Sequence, residues 1–463
     1  MAFARVFQSF IEKSPVSVMF RGTLENVFAA ERLDQLFAES AKKQRADQLA
    51  FSTCAELLGL VVLREQKSVH AAYRRAKVAV SVQSLYNKLA KIEPVVSEAL
   101  VRETGRDLAA IIDKMGATLP GPLPGFEVRI VDGNHLAGTQ HRLKELRCVG
   151  DAALPGHTLA VLDPQRELIE ELVVCEDGHA NQKPLFHRLL DQVQPRQCWI
   201  ADRDFSTRAF LFGIKRRRGY FVIRQHAGLP VELLSRLRRV GETETGVVYE
   251  QKVRLTDENG DPFELRRITI KLHQPTRDKE TEIHLLSNLP KRVSAGDIAQ
   301  AYLSRWQIEA AFQKLTQVLR CELNTLGYPD AALFGFSLAV VMYNAVSTVL
   351  AALRATHPQV GDKVDRTGKP QKFSFYYIAD EISGVSRGMA VVIPPEAWTR
   401  EFAGQTPRQM ANKLLWLARK VEVEPFLTNP CSVKKRKTRR PIKHGGHVST
   451  FRILRKRKPL AKK

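Results

Sequence analysis

The chain has only six cysteines in 463 residues, at 54, 148, 175, 198, 321 and 431, and no two of them form a Cys-x-x-Cys pair. That spacing excludes a thiolate zinc knuckle and a disulfide-stapled scaffold, and it is expected of a reducing compartment. The first twenty residues lack the basic start, unbroken apolar run and small-residue cleavage site of a secretion signal. There is no repeat of fixed period and no heptad array. These absences point to a cytoplasmic protein. One uncharged stretch, 331–353, is long enough to cross a bilayer, but Ser337, Asn344, Ser347 and Thr348 interrupt it and nothing else resembles a span. It is therefore expected to be a helix buried in a large core, with no membrane partner.

Acids are missing from one region. Residues 431–463 contain 14 Lys or Arg and no Asp or Glu, leaving 58 bases against 49 acids in the other 430 residues. The formal charge of +23 is thus concentrated in a tail. Runs such as "KKRKTRR" (434–440) and "RKRK" (455–458) cannot pack their charges together, so a solvated tail suited to a polyanion is expected.

What is present divides along the chain. Residues 1–115 read as helices, with apolar residues three and four apart, and "SVHAAYRRA" followed by "SVQSLYNKLA" reads as two short helices around a turn, with Ser81 capping the second. A helix-turn-helix and an ordinary helical hairpin fit that pattern equally. The Pro- and Gly-rich "GATLPGPLPG" (116–125) marks a boundary. Residues 126–225 then alternate between strands and helices, as a mixed α/β sheet requires. Residues 226–294 read as a β-rich insertion, 295–355 as helices completing the α/β unit, 356–430 as a helical region and 431–463 as the basic tail.

Three acids stand where chemistry could use them. Asp132 ends "RIVD" and Asp202 ends "CWIAD". A carboxylate at the end of an apolar strand has to be solvated, paired or bound to metal, and a turn-capping aspartate is the simplest of these. Glu309 lies in "AYLSRWQIEAAFQKL" (301–315). At about 100° per residue, Tyr302, Arg305, Trp306 and Glu309 share one helix face. Alone, that face is an Arg–Glu pair of about 0.3–0.5 kcal/mol with two aromatics beside it.

Together, "IVDGNHL" around Asp132, "IADRDFS" around Asp202, "LLSNLP" closing the insertion, and Tyr-x2-Arg-x3-Glu at Tyr302, Arg305 and Glu309 resemble the bacterial DDE transposases of the insertion-sequence-four (IS-four) type. The resemblance implies a ribonuclease-H-like mixed-sheet core interrupted by the β-insertion and flanked by helical N- and C-terminal regions. It implies that Asp132, Asp202 and Glu309 are catalytic and hold two Mg²⁺ ions, with Mn²⁺ as the alternative. Water would cut a transposon end, and the released 3′-hydroxyl would attack target DNA.

The partners so implied are double-stranded DNA, as terminal inverted repeats and as target, and a second copy of the chain in a synaptic complex on the nucleoid. Tyr302 and Arg305 would grip the DNA end, with Arg203 beside them and Trp306 either stacking on a base or packing in the core. Lys215, Arg216 and Arg217 are expected to face phosphate. A repressor derived from such an enzyme and a structure-specific nuclease on the same core are the alternative functions. The family's lysine seven residues after the glutamate is here Thr316, and Arg320, which falls on the active face of the helical wheel, is the expected substitute. His135, His141, His157, His179 and His187 lack the short spacing of metal ligands, so satisfied or exposed histidines are expected.

Overall fold

A computed structural model describes residues 3–43, 49–76, 78–276, 278–365, 368, 370–428 and 446–456. "KKRKTRR" and the end of "RKRK" lie outside them. The apolar spacing of the first 115 residues yields seven helices, α1 (Gln8–Lys13), α2 (Pro15–Val27), α3 (Ala30–Ser40), α4 (Phe51–Val62), α5 (Val69–Ala76), α6 (Val82–Leu89) and α7 (Pro94–Met115). Ser81 caps α6 by accepting from the Ser84 amide at 3.1 Å, as its side chain predicts.

The alternating segment forms β1 (Glu127–His135), β2 (Ala152–Leu154), β3 (His157–Asp163), β4 (Leu168–Cys175), α8 (Phe186–Leu190), β5 (Gln197–Ala201), α9 (Arg208–Arg216) and β6 (Tyr220–Arg224). All of these strands but β2 lie in one sheet, in the order β4-β3-β1-β5-β6. β3 runs antiparallel to β1 and β4, whereas β5 and β6 run parallel to β1. That order and those directions are those of a ribonuclease-H-like sheet.

The inserted strands β7 (Glu232–Leu233), β8 (Arg238–Thr243), β9 (Gly246–Thr256), β10 (Pro262–Leu272) and β11 (Glu282–Ser287) form no separate sheet. β11 pairs with β6, so the sheet continues through β11, β10 and β9 to ten strands. After it come α10 (Ala295–Leu303), α11 (Trp306–Gln317), α12 (Pro329–Thr356), α13 (Gln359–Asp362), α14 (Phe375–Val392), α15 (Pro395–Phe402) and α16 (Pro407–Ala418).

Strand alternation gives the sheet two apolar faces. Val128, Ile130, Ile200 and Val222 face the helical side with α7 and α12, while Val131, Trp199, Ala201 and Ile223 face α8 and α9. α12 is the uncharged stretch of the sequence, and it is the one described helix long and apolar enough to cross a membrane. Its uncharged residues 331–353 are all buried in the protein. Its Asn344 takes the place of a neighbouring strand at the β4 edge, accepting from the Ile169 amide and donating to the Ile169 carbonyl, each at 2.9 Å.

The expectation of a wholly solvated tail is corrected by its last described part. Residues His447–Ser449 form β12, parallel to β2, and Thr450–Arg455 form α17. Asp177 draws this part inward, accepting from Ser449 Oγ at 2.6 Å and Arg452 Nε at 2.7 Å.

Candidate active site

Period-two alternation decides where the first two acids point. Asp132 has the parity of Val128 and Ile130, and Asp202 that of Cys198 and Ile200, so both emerge on the helical face of the sheet. The pairs Val131–Ala201 and Ala201–Ile223 set the register of the three parallel strands. One residue further on, Asp132, Asp202 and Arg224 stand in a row across β1, β5 and β6. Asp132 accepts from the Gly133 amide at 2.8 Å and Asp202 from the Arg203 amide at 2.6 Å. Asp202 directly follows β5, whereas β1 runs on past Asp132 to His135, paired there with β3 alone, which corrects the expectation that Asp132 ends its strand.

The third acid arrives on two helices where the periodicity predicts one. α10 starts with a capping box between Ser294 and Asp297 and ends at Leu303, and α11 starts afresh at Trp306. Ser304 Oγ donates to the Ala301 carbonyl at 2.6 Å, a local bond that competes with helix continuation. The break turns Arg305 inward and puts Glu309 in the first turn of α11.

Arg305 then ties the acids together. Its Nη1 lies 3.2 Å from Asp132 Oδ2 and its Nη2 lies 2.7 Å from Glu309 Oε1, with the side chain only 9% exposed. The guanidinium also lies 4.9 Å from the centre of the Trp306 ring. Trp306 is 59% exposed, so the alternative of a core residue is excluded. Burial pushes the Asp132 carboxyl up to about 6; Gly133 and Arg305 oppose that shift, while the charges of Asp202 and Glu309 add to it. Burial, with Asp202 adding to it, raises the Tyr302 phenol well above its ordinary range, so Tyr302 is a neutral O–H donor.

A second cluster escaped sequence reasoning. Arg203 Nη1 lies 3.2 Å from Glu280 Oε1, and Arg224 Nη2 lies 2.5 Å from Glu280 Oε2. Arg224 could have been found by applying to "YFVIR" the end-of-strand rule that picked out the aspartates. Glu280 carries no such signal, because it reaches the site from the loop between β10 and β11.

Other expected site residues lie elsewhere. Arg196 donates through its amide to the Arg218 carbonyl at 3.3 Å, at the start of β5 and β6. Lys215, Arg216 and Arg217 therefore sit at the opposite end of these strands from Asp202, because a crossover helix must return the chain to the strand start. There Lys215 lies 4.2 Å from the Phe263 ring centre and Arg217 is 3.1 Å from Asp191.

Arg320 does not replace the family lysine. α11 ends at Gln317, and Arg320 donates through its backbone amide to Val62 and through Nη1 to the Lys67 carbonyl, lining a cavity of about 430 Å³ with Lys67, Leu136 and Glu322. Thr316 is exposed, and its hydroxyl bonds back to Phe312 and Gln313 carbonyls.

His157 departs from the expectation for histidines. It is fully buried with neither ring nitrogen hydrogen-bonded. β1 pairing sets it opposite His135, with ring centres 5.2 Å apart. His179 Nε2 lies 2.7 Å from His447 Nδ1.

Among the described residues, no group of three His, Cys, Asp or Glu side chains stands ready to hold a metal ion. The donor chemistry of Asp132, Asp202 and Glu309 nevertheless fits a hard divalent cation. They are all-oxygen donors, and Asp132 carries a charge that burial disfavours and its acidic neighbours disfavour further. In this structure the guanidinium of Arg305 supplies the positive charge between two of them.

Residues 124–345, just under half of the chain, match the family model described as "Transposase DDE domain". No curated protein matches the chain. Among solved structures, the cryo-EM structure of a piggyBac transposase synaptic complex with hairpin DNA is similar over 94% of this chain and 89% of that one, at 13% identity and a TM-score of 0.40. That likeness is too slight to carry weight on its own.

Proposed function

We propose that this chain is a DNA transposase of the DDE type, of the insertion-sequence-four kind, that cuts the ends of a mobile element and joins them to target DNA. The observation that carries the reading is the row of Asp132 and Asp202 just past the point where the parallel pairing of β1 and β5 ends, faced by Glu309 from α11. The family match over residues 124–345 supports the same reading.

Asp132, Asp202 and Glu309 would hold two divalent cations, Mg²⁺ or Mn²⁺, whose chemistry when bound is to polarise the scissile phosphodiester and lower the pKa of the attacking water or 3′-hydroxyl. The protein's own groups do the rest. Tyr302, held neutral, donates to a phosphate oxygen. Arg305 has two parallel N–H donors engaged by carboxylates, and exchanging these for phosphate oxygens keeps the same fork geometry. Arg203 reaches the neighbouring phosphate, and the exposed Trp306 offers a face on which a displaced base stacks. The α5–α6 pair supplies a second contact to duplex DNA. Two copies on two inverted repeats complete the synaptic assembly on chromosomal DNA.

Replacing Asp132, Asp202 or Glu309 singly with Ala should lower Mg²⁺-dependent cleavage of the element's ends by at least about 10³-fold, the scale of losing one preorganised electrostatic contributor. Undiminished cleavage by any of the three variants refutes the assignment. Products in which cut ends are joined to a target plasmid separate a transposase from a nuclease, which would cut without joining.

A further inference from the structure

Glu280 reaches the catalytic end of the sheet from the loop between β10 and β11, and it engages two arginines at once. Its Oε1 is 3.2 Å from Arg203 and its Oε2 2.5 Å from Arg224. Arg203 immediately follows Asp202, and Arg224 stands beside Asp202 in the strand row, where the charge of Asp202 also acts on it. Two guanidiniums converging on two oxygens of one anionic group is the donor pattern that recognises phosphate.

The loop is shaped to hold the carboxylate there. Glu280 accepts from Thr276 Oγ1 at 3.4 Å and donates through its amide to the same hydroxyl at 3.1 Å. The preceding Lys279 has φ of +64°, a conformation that residues other than glycine rarely adopt. The hydrogen bond from Arg224, outweighing the opposing effect of burial, lowers the Glu280 carboxyl below its ordinary value, which favours its charged form.

We propose that Arg203 and Arg224 form a binding site for a DNA backbone phosphate beside Asp202, and that Glu280 occupies this site as an internal competitor until the phosphate displaces it. The inference rests on the DNA-binding reading above. Without DNA, both arginines are engaged by one carboxylate that the protein itself provides, as Arg305 is by Asp132 and Glu309. A free arginine pair at this edge would hold any anion. With Glu280 in place, an incoming strand has to bring enough further contacts to exchange one anion for another, which favours a long duplex over isolated phosphates.

The test is the affinity of the full chain for short duplex DNA, measured by fluorescence anisotropy in EDTA at several salt concentrations, so that cation binding and cleavage play no part. Glu280→Gln removes the charge while keeping the shape, and it should bind about three- to tenfold tighter, the range set by releasing two partly exposed ion pairs. Arg224→Ala should weaken binding and lower the slope of log affinity against log salt by about one. In the Arg224→Ala background, Glu280→Gln should give less than half of its gain. Arg203→Gln, an exposed arm, provides the same comparison if Arg224→Ala unfolds. Glu280→Gln that leaves affinity unchanged or weakens it overturns the proposal, because a strut holding the loop predicts no gain. A wild-type chain that binds no duplex at any salt instead overturns the DNA reading on which the proposal rests.

Discussion

Asp132 bears the main electrostatic cost of the site. It is 21% exposed, and its carboxyl is pushed up to about 6 from an ordinary 3.8, chiefly by burial. A carboxyl with a raised folded-state pKa holds its proton more tightly folded than unfolded. Its contribution to stability is therefore greatest below about 4 and is lost as pH rises through about 6. Asp132→Asn should accordingly melt higher than wild type at pH 7, by on the order of 2 kcal/mol, with the gap closing as pH falls to 4. Melting curves across that range test it, and a gap independent of pH contradicts it. A binding site that destabilises its own fold near neutral pH is what a cation, or Arg305 in its absence, offsets.

At the scale of elements, two helices show how a side chain can override or complete local structure. Ser304 ends α10 where the apolar spacing continues, and that break brings Arg305 into reach of Asp132. Asn344 works in the other direction, as a polar residue in the buried middle of α12. By bonding both backbone groups of Ile169, it satisfies the edge strand β4, which has no further strand beside it. Asn344→Leu keeps the volume and leaves two buried backbone groups unpaired, at a cost of about 2–4 kcal/mol. Chemical denaturation should register that loss with little change in the m-value. Asn344→Asp, which retains the acceptor alone, should fall lower still because it adds a buried charge.

For the molecule as a whole, one sheet serves both the core and the insertion, and the chain's last described residues return to β2 in a separate two-stranded sheet. Ser449 and Arg452 bond to Asp177, two residues past β4, and His447 to His179. Replacing Ser449 and Arg452 together with Ala should release this return, increasing trypsin cleavage after Lys456 or Arg455 at least severalfold while leaving the global melting temperature within a few degrees, because the bonds are largely at the surface. Unchanged cleavage would mean that β12 pairing with β2 holds the segment unaided.

Much of this was legible in the sequence because it is local. The strand that ends just before Asp202, the Ser81 cap, the buried character of α12 and the mixed α/β order all follow from residues near one another in the chain, where periodicity and capping chemistry act. Other features depended on tertiary structure, because they join segments that sequence spacing does not relate. Register across β1, β5 and β6 aligned Asp132, Asp202 and Arg224. The crossover through α9 carried Lys215, Arg216 and Arg217 to the far end of the sheet. The end of α11 at Gln317 took Arg320 off the face that a helical wheel assigned to it, and a loop 56 residues beyond Arg224 delivered Glu280 to its partner. Sequence alone therefore determined which residues were able to do chemistry, since side-chain type and helix or strand period are written locally. Which of them meet was decided by strand register, helix breaks and loop reach, since those depend on how distant segments pack.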